Sequence, residues 1–227
     1  MKATYYGHST FAMQLDGANI LFDPFISPNA AASHIALDQI NPDYILLSHA
    51  HADHVADVFT IQKQSQAKVV AIVETAEWLR RKGVAEEHVI EMNFGGTLQT
   101  SFGSAKMVLA IHTNSTPDGD YGGMPVGFVV RSGGKTFYYA GDTALTMDMQ
   151  LIKAYAPDIV FLPMGGHYTM DVDDALLAAK MIGCKRVVGM HFNTFPPIRI
   201  DAESAQQKFE AEGFTLILPS IGEEIQF

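Results

Sequence analysis

Apolar and polar positions alternate along the start of the chain. Ala3–Gly7, Thr10–Gln14 and Asn19–Phe22 read as three strands of a meander, with Asp16-Gly17 suited to a hairpin turn. Asp23-Pro24 ends the run. Residues 26–41 are rich in Ser, Ala, Asn and Pro and hold no period, so they read as a mobile loop with one helical turn. Tyr44-Ile45-Leu46-Leu47 is short and apolar throughout, the pattern of a strand buried on both faces. Helical spacing follows over Val55–Gln66, then a buried strand at Lys68–Val73 and a short helix at Thr75–Lys82, closed by Gly83. Strands at His88–Met92, Thr97–Ser101 and Lys106–Ile111 complete a strand-rich first half.

The second half reads as strands alternating with helices. Val126–Arg131 and Thr136–Ala140 flank Ser132-Gly133-Gly134-Lys135 as a hairpin. Strands at Asp158–Leu162, Arg186–Met190, Thr215–Leu218 and Glu224–Gln226 alternate with helices. Those lie at about Thr146–Tyr155, from a cap at Thr169 or Asp171 to Ile182, and at Ala202–Glu212. No linker or low-complexity stretch divides the chain, so residues 1–227 read as one α/β domain.

Composition narrows the classes. An apolar fraction of 48% and a charged fraction of 18% describe a globular chain with a sizeable core. The net charge of −10, with no Lys or Arg run, argues against nucleic acid as a partner. No apolar run approaches a membrane span, and the N-terminus carries no apolar signal core, so a cytoplasmic location is expected. The single cysteine, Cys184, sits in a helix-to-strand turn and reads as a packing residue. Oligomeric state is open, with a homo-oligomer allowed.

The chemistry gathers at strand ends. Ser48-His49-Ala50-His51-Ala52-Asp53-His54 follows the buried strand at 44–47 directly. Imidazole and carboxylate suit Zn, Mn, Ni or Fe, and a rigid strand end fixes their directions. His49 and His51, two apart, can hold one ion, while Asp53 and His54 can aim at a second. Three further strand ends carry similar residues: His112 after Lys106–Ile111, Asp142 after Thr136–Ala140, and His191 after Arg186–Met190. Counting assigns His49, His51 and His112 to a first site and Asp53, His54 and His191 to a second. Asp142 is then a spare carboxylate suited to a bridge, although capping of the following helix would also explain it. Two ions about 3.5–4 Å apart would activate a bridging hydroxide near neutral pH.

This ordered set, H-x-H-x-D-H with His112, Gly-Asp142-Thr and His191, resembles the metallo-β-lactamase superfamily over essentially the whole chain. Gly-His8-Ser, Asp23-Pro24-Phe25, Ala140-Gly141-Asp142-Thr143 and Met190 to Pro196 resemble, within it, a compact family of uncharacterised metal-dependent hydrolases related to the ascorbate-6-phosphate lactonases. The resemblance implies a four-layer αββα sandwich, a dinuclear centre at the sheet edges and the ligand roles just given. Zn is the leading metal, with Mn, Ni or Fe as alternatives. No Cys stands at the second site, which disfavours antibiotic hydrolysis, and His51 stands where flavo-diiron proteins carry Glu. His8, in Gly-His-Ser, and His167, in Gly-Gly-His-Tyr-Thr-Met, are candidates for lining the site or supplying the general acid. Asp53 is both a ligand and a catalytic candidate. His34 and His88 read as outside the shell.

The expected function is hydrolysis of a small, anionic phosphodiester, lactone or other ester. A non-catalytic metal-binding or ligand-sensing protein and a mononuclear iron oxygenase are the alternatives on the same scaffold.

Overall fold

The computed structural model describes residues 1–227. The chain builds two seven-stranded sheets. The first holds β1 (Lys2–Gly7), β2 (Thr10–Leu15), β3 (Ala18–Phe22), β4 (Tyr44–Leu46), β5 (Lys68–Ile72) and β6 (Val89–Met92). The second holds β7 (Thr97–Thr100), β8 (Gly103–Leu109), β9 (Val126–Ser132), β10 (Lys135–Tyr139), β11 (Ile159–Pro163), β12 (Arg186–Met190) and β13 (Thr215–Ile217). The last strand, β14 (Glu224–Gln226), returns to the first sheet beside β1.

Period-two patterning explains the layers. Along β3 to β5, Ile20, Phe22, Leu46, Val70 and Ile72 face the other sheet. Their neighbours Leu21, Ile45, Leu47, Val69 and Ala71 face outward into a second apolar cluster. Both faces are apolar because both are covered, which is why these strands read as unbroken runs. The outer cover of the first sheet is α1 (Ala52–Val55), α2 (Val58–Ser65) and α3 (Val73–Arg81), which buries Trp78 and Leu79. The second sheet is covered by α4 (Met149–Ile152), α5 (Val172–Ile182) and α6 (Ala202–Ala211), through Ala175, Ala178, Ala179, Ile182 and Phe209. Between the sheets, Phe22 stacks on Tyr139 at 4.4 Å and Phe11 meets Phe161 edge-on at 5.0 Å. Each fully buried ring of this kind contributes about 2 kcal/mol, and the set locks one sheet edge against the other. The result is the expected αββα sandwich. No helix is long and apolar enough to cross a membrane.

Strand direction then places the chemistry. β1, β3 and β4 run the same way, because β1 and β3 are both antiparallel to β2 and β4 is parallel to β3. In the second sheet β8, β10, β11 and β12 share a direction for the same reason. The residues after their C-terminal ends therefore share an edge in each sheet, the edge where α/β folds bind ligands.

Three details differ from the sequence reading. The helix expected over 55–66 is two pieces, broken around Asp57, whose carboxylate accepts from Ile26 N at 2.6 Å, Ser27 N at 2.9 Å and the Ser27 hydroxyl. That anchor, with Ile26, Ala32 and Ile40 buried, also explains why 26–41 forms two 3-10 turns, the first against β1 and the second against α2, in place of a free loop. The helix expected at 146–155 shortens to α4 and a following 3-10 turn at Lys153–Tyr155.

Candidate metal centre

The turn leaving β4 carries Ser48 to His51 straight into α1. His49 is buried, and its Nε2 lies 3.0 Å from Nδ1 of His51. His112, reached from β8, sets its ring 5.2 Å from each of those two rings. These three side chains each offer a nitrogen within 4.8 Å of the others. Asp53, His54, His191 and His8 form a second group by the same measure. Asp142 joins the two. Its Oδ2 is 2.9 Å from His191 Nε2, 3.4 Å from His54 Nε2 and 3.6 Å from His112 Nε2. The cap reading of Asp142 falls away, because α4 does not start until Met149.

Neighbouring groups aim these atoms. Asp23 is fully buried and accepts from Ser48 N (2.7 Å), Ser48 Oγ (2.6 Å), Tyr139 OH (2.8 Å) and His54 Nδ1 (2.9 Å). With Nδ1 held by Asp23, the ring turns Nε2 toward Asp142. The Ser48 hydroxyl spends its hydrogen on Asp23, so it accepts from His49 Nδ1 at 2.9 Å and turns the Nε2 lone pair toward His51. Asn114 accepts from Ala50 N at 2.8 Å and donates to Gly122 O at 2.7 Å, which ties the loop after His112 to the histidine-bearing turn. Gly141 has φ +63°, and a Cβ there would fall 2.6 Å from Ser48 Cβ. Only glycine lets the strand carrying Asp142 approach so closely.

His8 is 1% exposed and holds Asp53 Oδ2 at 3.1 Å and Thr194 Oγ1 at 2.9 Å. Around the centre lies a cleft of about 410 Å³, lined by His51, Ala52, Asp53, His112, Thr113, Asp142, Tyr168 and His191. His167 is exposed and is not part of that lining; its neighbour Tyr168 is, with the two rings 4.5 Å apart edge-on. His8 is also outside that lining, although Asp53, which it holds, is part of it. His34 and His88 stand away from both groups, as expected.

The electrostatics suit a cation. Burial lowers the pKa of His49, His51 and His112, keeping these rings neutral. Burial also lowers His8, to about 4, against the opposing pull of Asp53. Burial disfavours charge on Asp53 and Asp142, yet the surrounding histidines hold both carboxyls below the ordinary range. Burial likewise opposes charge on His54, but Asp142 and Asp23 outweigh it and raise its pKa well above normal. His54 Nε2 and Asp142 Oδ1 are buried without a hydrogen-bond partner. Imidazole nitrogens, those of His49, His51 and His112 on neutral rings, with ionised carboxylates and orphaned buried atoms are the donor set of a divalent metal site, so the residues fit such ions.

Asp23, Ser48, Tyr139 and Asn114 were not legible as site residues. Their signals were Asp23-Pro24-Phe25, which reads first as a strand end, and the place of Ser48 at the head of the histidine stretch.

A four-layer sandwich with this histidine and aspartate cluster at its sheet edges defines a β-lactamase superfamily domain, and residues 18–192 match the family model of that description. The chain belongs to the UPF0173 metal-dependent hydrolase family within that superfamily. It is 45% identical to the member from Flavobacterium johnsoniae, over 100% of both chains. It is 44% identical to the member from Methylacidiphilum infernorum, over 99% of both chains. Among solved structures, Igni18, a metallo hydrolase from Ignicoccus hospitalis, superposes with a TM-score of 0.88 at 37% identity, covering 100% of this chain and 98% of its own. An isothiocyanate hydrolase from Delia radicum gut bacteria shares the fold, with a TM-score of 0.80 at 20% identity, covering 100% of this chain and 99% of its own.

Proposed function

We propose that the protein is a hydrolase with a dinuclear metal centre acting on a small ester or lactone. The observation that carries this reading is the position of Asp142 Oδ2 between nitrogens of both side-chain groups. His49, His51 and His112 would hold one divalent ion, Asp53, His54 and His191 the other, and Asp142 both. Bound there, such ions supply a water activated near neutral pH and polarise the scissile carbonyl or phosphoryl group.

The chain's own residues do the rest. Asp23 and Ser48 hold the rings of His54 and His49 by their Nδ1 atoms, so that both Nε2 atoms already point inward before anything binds. Thr113 and Tyr168 are the lining side chains that offer a hydroxyl to a substrate. No Lys or Arg lines the cleft. A phosphodiester would therefore meet no side-chain cation, whereas a neutral carbonyl compound needs none. That favours an ester or lactone over a phosphodiester.

The test is metal analysis of untagged protein, paired with hydrolysis assays on small lactones, aryl esters and bis-p-nitrophenyl phosphate. Two equivalents with faster lactone or ester turnover are expected. One iron with oxygen-dependent turnover would point instead to an oxygenase, and metal without hydrolysis to a sensor.

Two variants probe the shell. Asp23→Asn removes the charge that faces His54 Nδ1, and about a 10- to 100-fold loss of metal affinity is expected in a chelator competition. Unchanged affinity would show that Asp23 serves the fold alone. His34→Ala and His88→Ala are expected to leave metal content at the wild-type level; loss in either would mean that the shell is wrongly drawn.

A further inference from the structure

The geometry points to His8 as a positioning residue for the second ion, holding Asp53 in place, and not as a proton donor to substrate. This rests on the dinuclear reading above. Hydrogen-bond accounting fixes the ring. Asp53 Oδ2, 3.1 Å from His8 Nε2, is an acceptor, and two lone pairs at that distance would repel, so Nε2 carries the proton. Nδ1 of the neutral ring then accepts the Thr194 hydroxyl at 2.9 Å; the other contact of that hydroxyl, to Phe192 O, is longer at 3.4 Å. A chain of donors runs Thr194 to His8 to Asp53.

The ring has little room to turn. Phe25 and Phe195 wall it at 5.3 and 5.4 Å between centroids, and the His191 ring lies at 4.1 Å. The backbone is fixed as well: His8 O accepts from His191 N at 2.7 Å and from Tyr5 OH at 3.2 Å. His8 itself adopts φ +56° in the turn between β1 and β2. One residue of the first sheet thus holds Asp53 by its ring, and by its ring and carbonyl the loop that brings His191 and Thr194 from the second sheet. The ring is 1% exposed, and it is Asp53, which it holds, that lines the cleft.

The separating variant is His8→Asn. Asn tolerates a left-handed backbone, and its shorter amide stays near Thr194 without reaching Asp53. His8→Gln extends an N–H back toward Asp53, and Thr194→Val cuts the outer end of the chain. Cobalt(II) titration of metal-free protein, followed by visible absorbance and calorimetry, resolves the two equivalents. In His8→Asn the first equivalent is expected to bind as in wild type and the second about 10- to 100-fold more weakly. His8→Gln is expected to restore much of that loss, and Thr194→Val to shift the second equivalent in the same direction by less. Unaltered binding of the second equivalent in His8→Asn, or equal weakening of both, overturns the inference alone. Uptake of one equivalent by the wild type would overturn the dinuclear reading and this inference with it.

Discussion

Asp142→Asn is expected to lower kcat/KM by about a thousandfold, roughly 4 kcal/mol of transition-state stabilisation, while the protein still folds. The substitution keeps the shape of the side chain and removes its charge. In the native site one oxygen of that carboxylate lies 2.9 Å from His191, 3.4 Å from His54 and 3.6 Å from His112. An amide in the same place offers a neutral oxygen and a nitrogen that cannot serve as a ligand. Uptake of the second ion should fall with activity, so metal equivalents and turnover are measured on the same sample. Full activity in Asp142→Asn would refute the bridging role.

Removing divalent ions with a chelator is expected to abolish turnover and lower the Tm by roughly 10 °C. Each proposed ion site draws on both sheets: His49 and His51 with His112, and Asp53 and His54 with His191. An ion that binds only the native arrangement stabilises it by about 4 kcal/mol at a thousandfold excess over its Kd. For a chain of this length each kcal/mol moves the midpoint by about 2–4 °C. Scanning calorimetry before and after chelation, then after restoring Zn or Mn, reads the effect. A Tm indifferent to chelation would mean that no ion bridges the sheets.

Much of this architecture was legible beforehand because the signals were local. The run at 44–47 and the histidines behind it announced a buried strand with ligands at its end, and β8, β10 and β12 repeated the arrangement. What escaped depended on contacts distant in sequence. Asp57 breaks a helix because residues 26 and 27 donate to it, some 30 positions away. Asp23 meets Tyr139 across 116 positions, and no spacing rule connects them. His8, at the end of a predicted strand, and His167, in a loop, both stand beside glycine and were equal candidates for the general acid. Only packing separates them: one lies under Phe25 and Phe195, the other at the surface with Tyr168 nearer the cleft.

The division of ligands between the sheets has a practical side. The link from β6 to β7, residues 93–96, is where the chain crosses from one sheet to the other, with only β14 returning later. Cut there, the N-terminal fragment keeps His49, His51, Asp53 and His54, and the C-terminal fragment keeps His112, Asp142 and His191. Neither fragment retains a full set for either proposed ion. Two separately produced fragments would meet through the apolar core between the sheets and the β14–β1 pairing, and a divalent cation bound at the proposed sites would strengthen that association. Cut at that link, the molecule would be a two-part system whose complementation rises with divalent metal.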